Sequence, residues 1–113
     1  MTAKEVVERI KKNLGIPWNE QTYRDTFKVG DPNTEVKGIA TTFMATLDLI
    51  QRAHTIGMNF VVGHEPAFWN EADTVKDLAD DPIYKFKMDF CRRNDMLVWR
   101  FHDHIHARKL DLI

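Results

Sequence analysis

From Val36 onward the chain alternates apolar, β-branched runs with stretches of helical spacing. Val36–Phe43 reads as a strand, Thr46–Ile56 as a helix and Met58–Val62 as a second strand. A helix follows Asp81-Pro82, and Leu97–Phe101 is the last strand. Two consecutive strand-helix-strand units build a parallel sheet with right-handed crossovers. The expected fold is therefore α/β, a small, mostly parallel sheet of three to four strands with flanking helices. Phe27-Lys28-Val29 supplies the extra short strand, closed by the turn residues Gly30-Asp31-Pro32-Asn33.

Helix boundaries are written in the capping residues. Thr2-Ala3-Lys4-Glu5 has capping-box spacing, and Val6, Val7, Ile10 and Leu14 follow at helical intervals until Gly15 and Pro17, which predicts a helix over Ala3–Leu14. Thr46 caps the next helix, with Leu49, Ile50 and Ala53 facing inward and Gly57 ending it. After Asp81-Pro82, the stripe Ile83, Phe86 and Phe90 is expected to face the core. Tyr84, Met88 and Cys91 flank it, and Lys85, Lys87 and Asp89 are expected toward solvent. Arg92 and Arg93 suit the end of that helix, and Asn94 a left-handed cap. Trp18–Thr26 and Asn70–Asp80 read as polar loops, the latter with at most one helical turn. At 113 residues, the chain is expected to form a single α/β domain, residues 1–113.

The parallel arrangement makes two polar clusters informative. The run Asn59–Val62 stops at Gly63 and is followed by His64-Glu65-Pro66. The last strand leads into His102-Asp103-His104-Ile105-His106. Ligands of open α/β sheets bind at the carboxyl ends of the strands, and parallel strands bring both clusters to one edge. If the second cluster stays extended, Arg100, His102, His104 and His106 share one face, and Asp103 and Ile105 the other. Imidazoles combined with carboxylates suit a divalent first-row metal such as Zn, Fe, Mn or Ni. The candidate metal ligands are His64, Glu65, His102 and His106, holding one or two ions. His102, His104 or Asp103 would serve as a supporting group or general base. The same residues also read as solvent-exposed histidines and a turn glutamate, since neither Cys-x-x-Cys nor His-Glu-x-x-His spacing is present. His54, one turn after Ile50, has no second ligand nearby and reads as a packing residue.

Other classes are disfavoured. Net charge is −1 with no basic block, so no nucleic-acid partner is expected. No apolar run has the length of a membrane span, and the first residues lack the core of a signal peptide. The single cysteine, Cys91, cannot pair internally, which suits a cytoplasmic location. No Ser or Cys lies in a nucleophile motif, and Gly30 and Gly38 make no phosphate loop.

The run Val29-Gly30-Asp31-Pro32, Val36-Lys37-Gly38-Ile39, Thr46 and Gly57 through Pro66 resembles the first half of the Nif-three-like dinuclear-metal proteins. These are also known as type-two homologues of GTP cyclohydrolase. The resemblance covers most of the chain from about Trp18. His64 matches the first His of that family's His-His-Pro motif, and Glu65 replaces the second. His102 matches the leading His of the family's His-Thr-Asn-Leu-Asp run, and His106 stands at its Asp. Met44 stands where members usually have an Asp. The resemblance implies an α/β fold, a two-metal cluster and a homo-oligomer, often a hexameric ring. Members are usually longer and supply a further His and Glu from a C-terminal segment. A complete two-metal site would then require ligands from another chain.

Two functions are consistent with these readings. One is a metal-dependent hydrolase that activates water, with a cyclohydrolase-like substrate class implied by the resemblance alone. The alternative is a non-enzymatic metal-binding regulatory or interaction protein. A remnant that folds only on oligomerising is a third reading.

Overall fold

The computed structural model describes residues 1–67 and 80–107. The elements in order are α1 (Ala3–Asn13), β1 (Phe27–Val29), β2 (Ile39–Thr42), α2 (Leu47–Thr55), β3 (Phe60–Gly63), α3 (Pro82–Arg93), β4 (Leu97–Arg100) and α4 (Asp103–His106). The four strands form one sheet in the order β1-β4-β3-β2. β2, β3 and β4 are parallel, and β1 runs antiparallel to β4. The expected α/β architecture is present, with β1 as the one antiparallel member. The loop expected over Asn70–Asp80 lies outside the described residues except for Asp80.

Period-two alternation along the central strands sends side chains into two apolar layers. Val61 and Val98 join Ile50 and Ala53 of α2 and Cys91 of α3 on one face. Phe60, Leu97 and Trp99 meet Ala3 and Val7 of α1 on the other. All four β4 residues are buried, whereas β2 alternates exposed and half-buried positions as an edge strand. β2 is also shorter than its β-branched run, because only Ile39–Thr42 find partners on β3.

The caps hold the helices as their residue types require. Thr2 Oγ1 accepts from the Glu5 amide, while a Glu5 carboxylate oxygen accepts from the Thr2 amide. The Thr2 amide and hydroxyl, both donating to the Glu5 carboxylate, pull that exposed group below its ordinary pKa. Thr46 Oγ1 accepts from Leu49 N–H, and Asp81 accepts from Ile83 and Tyr84 N–H with Pro82 at the first helical position.

Helix α3 corrects one expectation. Ile83 and Phe86 are 72% and 52% exposed, while Lys87 is only 8% exposed. The helix is rotated so that Lys87 and Cys91 are buried, with Tyr84 and Met88 half-buried on the same side. Apolar spacing identifies a helix, but an ammonium can replace an apolar residue where carbonyls receive it. Lys87 Nζ donates to the carbonyls of Ala45 and Ala67. It thereby ties the loop before α2 to the loop after His64. The left-handed residue beyond α3 is Asp95, at φ 50°, while Asn94 stays at φ −113°. The turn after β1 needs Gly30, since φ is 96° and a Cβ there would meet Leu97 and the Met96 carbonyl at 2.8 Å.

Candidate metal centre

β3 and β4 end in register, with Gly63 opposite Arg100. His64 and the start of the second cluster therefore emerge side by side at the carboxyl edge. Backbone bonds fix both exits. His64 N–H and Glu65 N–H donate to the Phe43 carbonyl, and Phe101 N–H donates to the Gly63 carbonyl. Buried Arg100 donates from Nε to the His64 carbonyl at 3.0 Å.

The second cluster is not extended. Residues 103–106 form a helical turn, so positions four apart share a face. This brings His102 and His106 together and turns His104 away. The three rings of His64, His102 and His106 pack with centroids 4.6–4.9 Å apart. One ligand-capable atom from each lies within 4.8 Å of the others. The Nε2 atoms of His64 and His106 are 3.1 Å apart.

Hydrogen-bond partners assign the tautomers. A carbonyl or carboxylate oxygen only accepts, so the facing ring nitrogen must donate. His64 Nδ1 donates to the Phe101 carbonyl at 3.1 Å, and His102 Nδ1 donates to Asp103 Oδ1 at 3.0 Å. In the neutral imidazole each then carries its lone pair on Nε2. Asp103 is in turn held by Thr22 Oγ1 at 2.9 Å and by Arg24 at 3.4 Å. Burial alone would raise the Asp103 pKa, but the His102 and Thr22 hydrogen bonds and the Arg24 charge outweigh it and hold the group below its ordinary value. A carboxylate behind an imidazole is the usual support of a metal-binding histidine.

His104 has a different task. It is buried, with its ring stacked on Trp18 at 3.5 Å. Its Nε2 accepts from the Asn19 amide at 2.9 Å, so Nδ1 carries the hydrogen and donates to Asp25 Oδ2 at 2.6 Å. Both nitrogens are engaged, which removes His104 as the base or supporting group expected from an extended chain. Its partner Asp25 is the residue that sequence reading missed. Asp25 Oδ1 accepts from the amides of His102 and Asp103, and Oδ2 accepts from the amide of His104. The N-cap position of α4, His102, offers no side-chain cap of its own. Asp25 supplies that cap from a polar loop 77 residues earlier. The Asp-x-Phe-x-Val run from Asp25 carried no local signal, because its acceptors serve a distant helix end.

Glu65 lies at the rim of the cluster. One of its carboxylate oxygens is 3.8 Å from His64 Nε2. The structure thus gathers His64, His102 and His106 into one group and places Glu65 beside it. Met44, the residue at the family's usual Asp position, is 47% exposed. His54 is exposed on α2 and packs edge-on against Phe90, consistent with its reading as a packing residue.

The fold and this edge define an α/β protein with a three-histidine cluster at the carboxyl ends of parallel strands. The family model of Duf34/NIF3 (NGG1p interacting factor 3) matches residues 1–103, and the chain belongs to that family. Solved structures share the fold. A Bacillus cereus protein related to NIF3 superposes with TM-score 0.77 at 17% identity, over 96% of this chain and 29% of that one. Reduced HcgD from Methanocaldococcus jannaschii gives 0.70 at 24% identity, over 93% and 41%. A Staphylococcus aureus hypothetical protein gives 0.73 at 18% identity, over 96% and 30%. The chain therefore spans less than half the length of these structures. No curated protein matches it. Among the described residues no helix is long and apolar enough to cross a membrane.

Proposed function

We propose that this chain binds a divalent first-row metal through His64, His102 and His106, with Glu65 as a further oxygen donor, and that the site serves metal-dependent hydrolysis. The observation that carries the reading is the convergence of the His64 and His106 Nε2 atoms at 3.1 Å, backed by the Nδ1 bonds of His64 and His102. Adjacent nitrogens at metal-bond lengths of roughly 2.0–2.1 Å lie about 3–3.5 Å apart, so the His64–His106 pair fits an ion, and a ligand nitrogen of His102 lies within 4.8 Å of them. A bound ion of this class would supply a Lewis acid and a water of lowered pKa.

The chain's own residues do the rest. The Phe101 carbonyl and Asp103 hold two imidazoles with their hydrogens turned away from the cluster. Asp25 and His104 hold the helical turn that presents His102 and His106. Glu65, half-exposed at the rim and 3.8 Å from His64 Nε2, would add the oxygen donor and orient a water at the cluster. Asp103 is spent on His102, Thr22 and Arg24, which leaves Glu65 as the carboxylate for that role among the described residues near the three rings. The cyclohydrolase-like substrate class, attack of water on a purine ring, follows from the family resemblance alone.

The test is thermal unfolding of apo and zinc-loaded chain, run for wild type, His64→Ala, His106→Ala and the double variant. Each single variant is expected to lose most of the zinc-dependent stabilisation, and the double variant little more. Glu65→Ala is expected to weaken binding and Glu65→His to retain it. Hydrolysis is read separately, with purine nucleotides and the zinc-loaded chain. Turnover lost in Glu65→Gln with zinc still bound supports the hydrolase reading, and tight binding without turnover in the wild type supports a metal-binding protein. Independent, additive losses at His64 and His106 would refute a shared site.

A further inference from the structure

We infer that the cluster is a nitrogen-rich, single-ion site that favours zinc, copper or nickel over manganese and magnesium, in place of the two-ion centre implied by family resemblance. The inference rests on the metal-binding reading above and adds the number and class of ion. It comes from counting what each donor can do.

A neutral imidazole has one nitrogen lone pair to give, so it ends on one ion and cannot bridge two. His64 and His102 have their second nitrogens committed to the Phe101 carbonyl and to Asp103. Both are therefore terminal donors. The Nε2 atoms of His64 and His106 converge to 3.1 Å, within the roughly 3–3.5 Å spacing of two nitrogens on one ion. Ions of a two-metal site lie roughly 3.5–4 Å apart, and each needs ligands of its own. Here the three rings are mutually packed at 4.6–4.9 Å, with no ring set apart to serve a second position.

Among side chains, bridging two ions calls for a carboxylate, and the nearby carboxylates among the described residues are largely assigned. Asp25 is enclosed, its two oxygens taking four donors from residues 102–104. Asp103 faces His102, Thr22 and Arg24. Among the described residues Glu65 is the remaining carboxylate beside the rings, 3.8 Å from His64 Nε2. A second ion would find one shared carboxylate and no nitrogen among the described residues. His106 adds to this bias, since at the position where the family places a carboxylate this chain carries an imidazole. Imidazole sites suit zinc, copper and nickel, whereas manganese and magnesium suit oxygen-rich ones.

The experiment uses the full chain, stripped of metal and titrated calorimetrically with zinc and, separately, with manganese. Bound metal is counted by elemental analysis after gel filtration. One zinc per chain is expected, with manganese bound at least 100-fold more weakly. His102→Ala is expected to weaken zinc binding at least 100-fold. Where that variant fails to fold, electron paramagnetic resonance of the cobalt-loaded wild type replaces it, and an isolated ion is expected. Two zinc ions per chain, a coupled cobalt pair, or manganese binding as tightly as zinc would overturn the single-ion inference and leave metal binding intact. No zinc bound at all would overturn both readings.

Discussion

Replacing Asp25 by Asn tests how the histidine cluster is held. The change keeps the size of the side chain and substitutes an NH2 group for one acceptor oxygen. Asp25 uses both oxygens, each for two donors, at 2.6–2.9 Å. The amide oxygen can satisfy one pair. The NH2 group then faces two buried N–H groups that have no acceptor. Each unsatisfied buried donor costs roughly 1–3 kcal/mol, so the substitution is expected to cost about 4 kcal/mol. Against a typical domain stability of roughly 5–15 kcal/mol this is a large fraction. It corresponds to a drop in Tm of about 15 °C for a chain of this size. Urea denaturation and thermal melts measure it, and fluorescence of Trp18, stacked on His104, reports the same region. Zinc affinity should fall in parallel, because α4 presents two of the three rings. A loss below about 1 kcal/mol with unchanged zinc affinity would refute the role assigned to Asp25.

Two further predictions concern the rest of the molecule. Burial pushes the Cys91 thiol from 9.0 up to about 11, against the opposing charge of Lys87. The unfolded chain loses this proton first, so stability is expected to fall as pH rises from 9 toward 11. The fall over that range is roughly 2 kcal/mol by proton linkage, and it should be smaller in Cys91→Ala, measured by urea denaturation across the same pH values. We also propose that the chain self-associates, since edge strand β2 leaves Ile39 exposed and the residues after it, Phe43 and Met44, are exposed as well. Light scattering at micromolar concentration should give at least a dimer mass, and a monomer mass would contradict the proposal.

The four strands and helices α1, α2 and α3 were legible because their signals are local. Thr2, Thr46 and Asp81 cap their helices through bonds to residues two or three positions away, so sequence spacing alone locates them. The pairing of His64 with the second cluster was legible for a related reason, since parallel strands joined by helices must end at one edge. The faces were decided only by tertiary structure. Lys87 could turn inward because the Ala45 and Ala67 carbonyls receive its ammonium, and that left Ile83 and Phe86 outside. The helical turn at residues 103–106 likewise depends on Asp25, whose carboxylate stops the chain from staying extended by satisfying three successive amides. That one contact between distant segments sends His104 to Trp18 and keeps His102 and His106 at the cluster. Sequence by itself determines β1–β4 and α1–α3, because capping and periodicity act over a few residues. Tertiary structure determines which side chains meet because buried donors and acceptors must find partners wherever the fold supplies them.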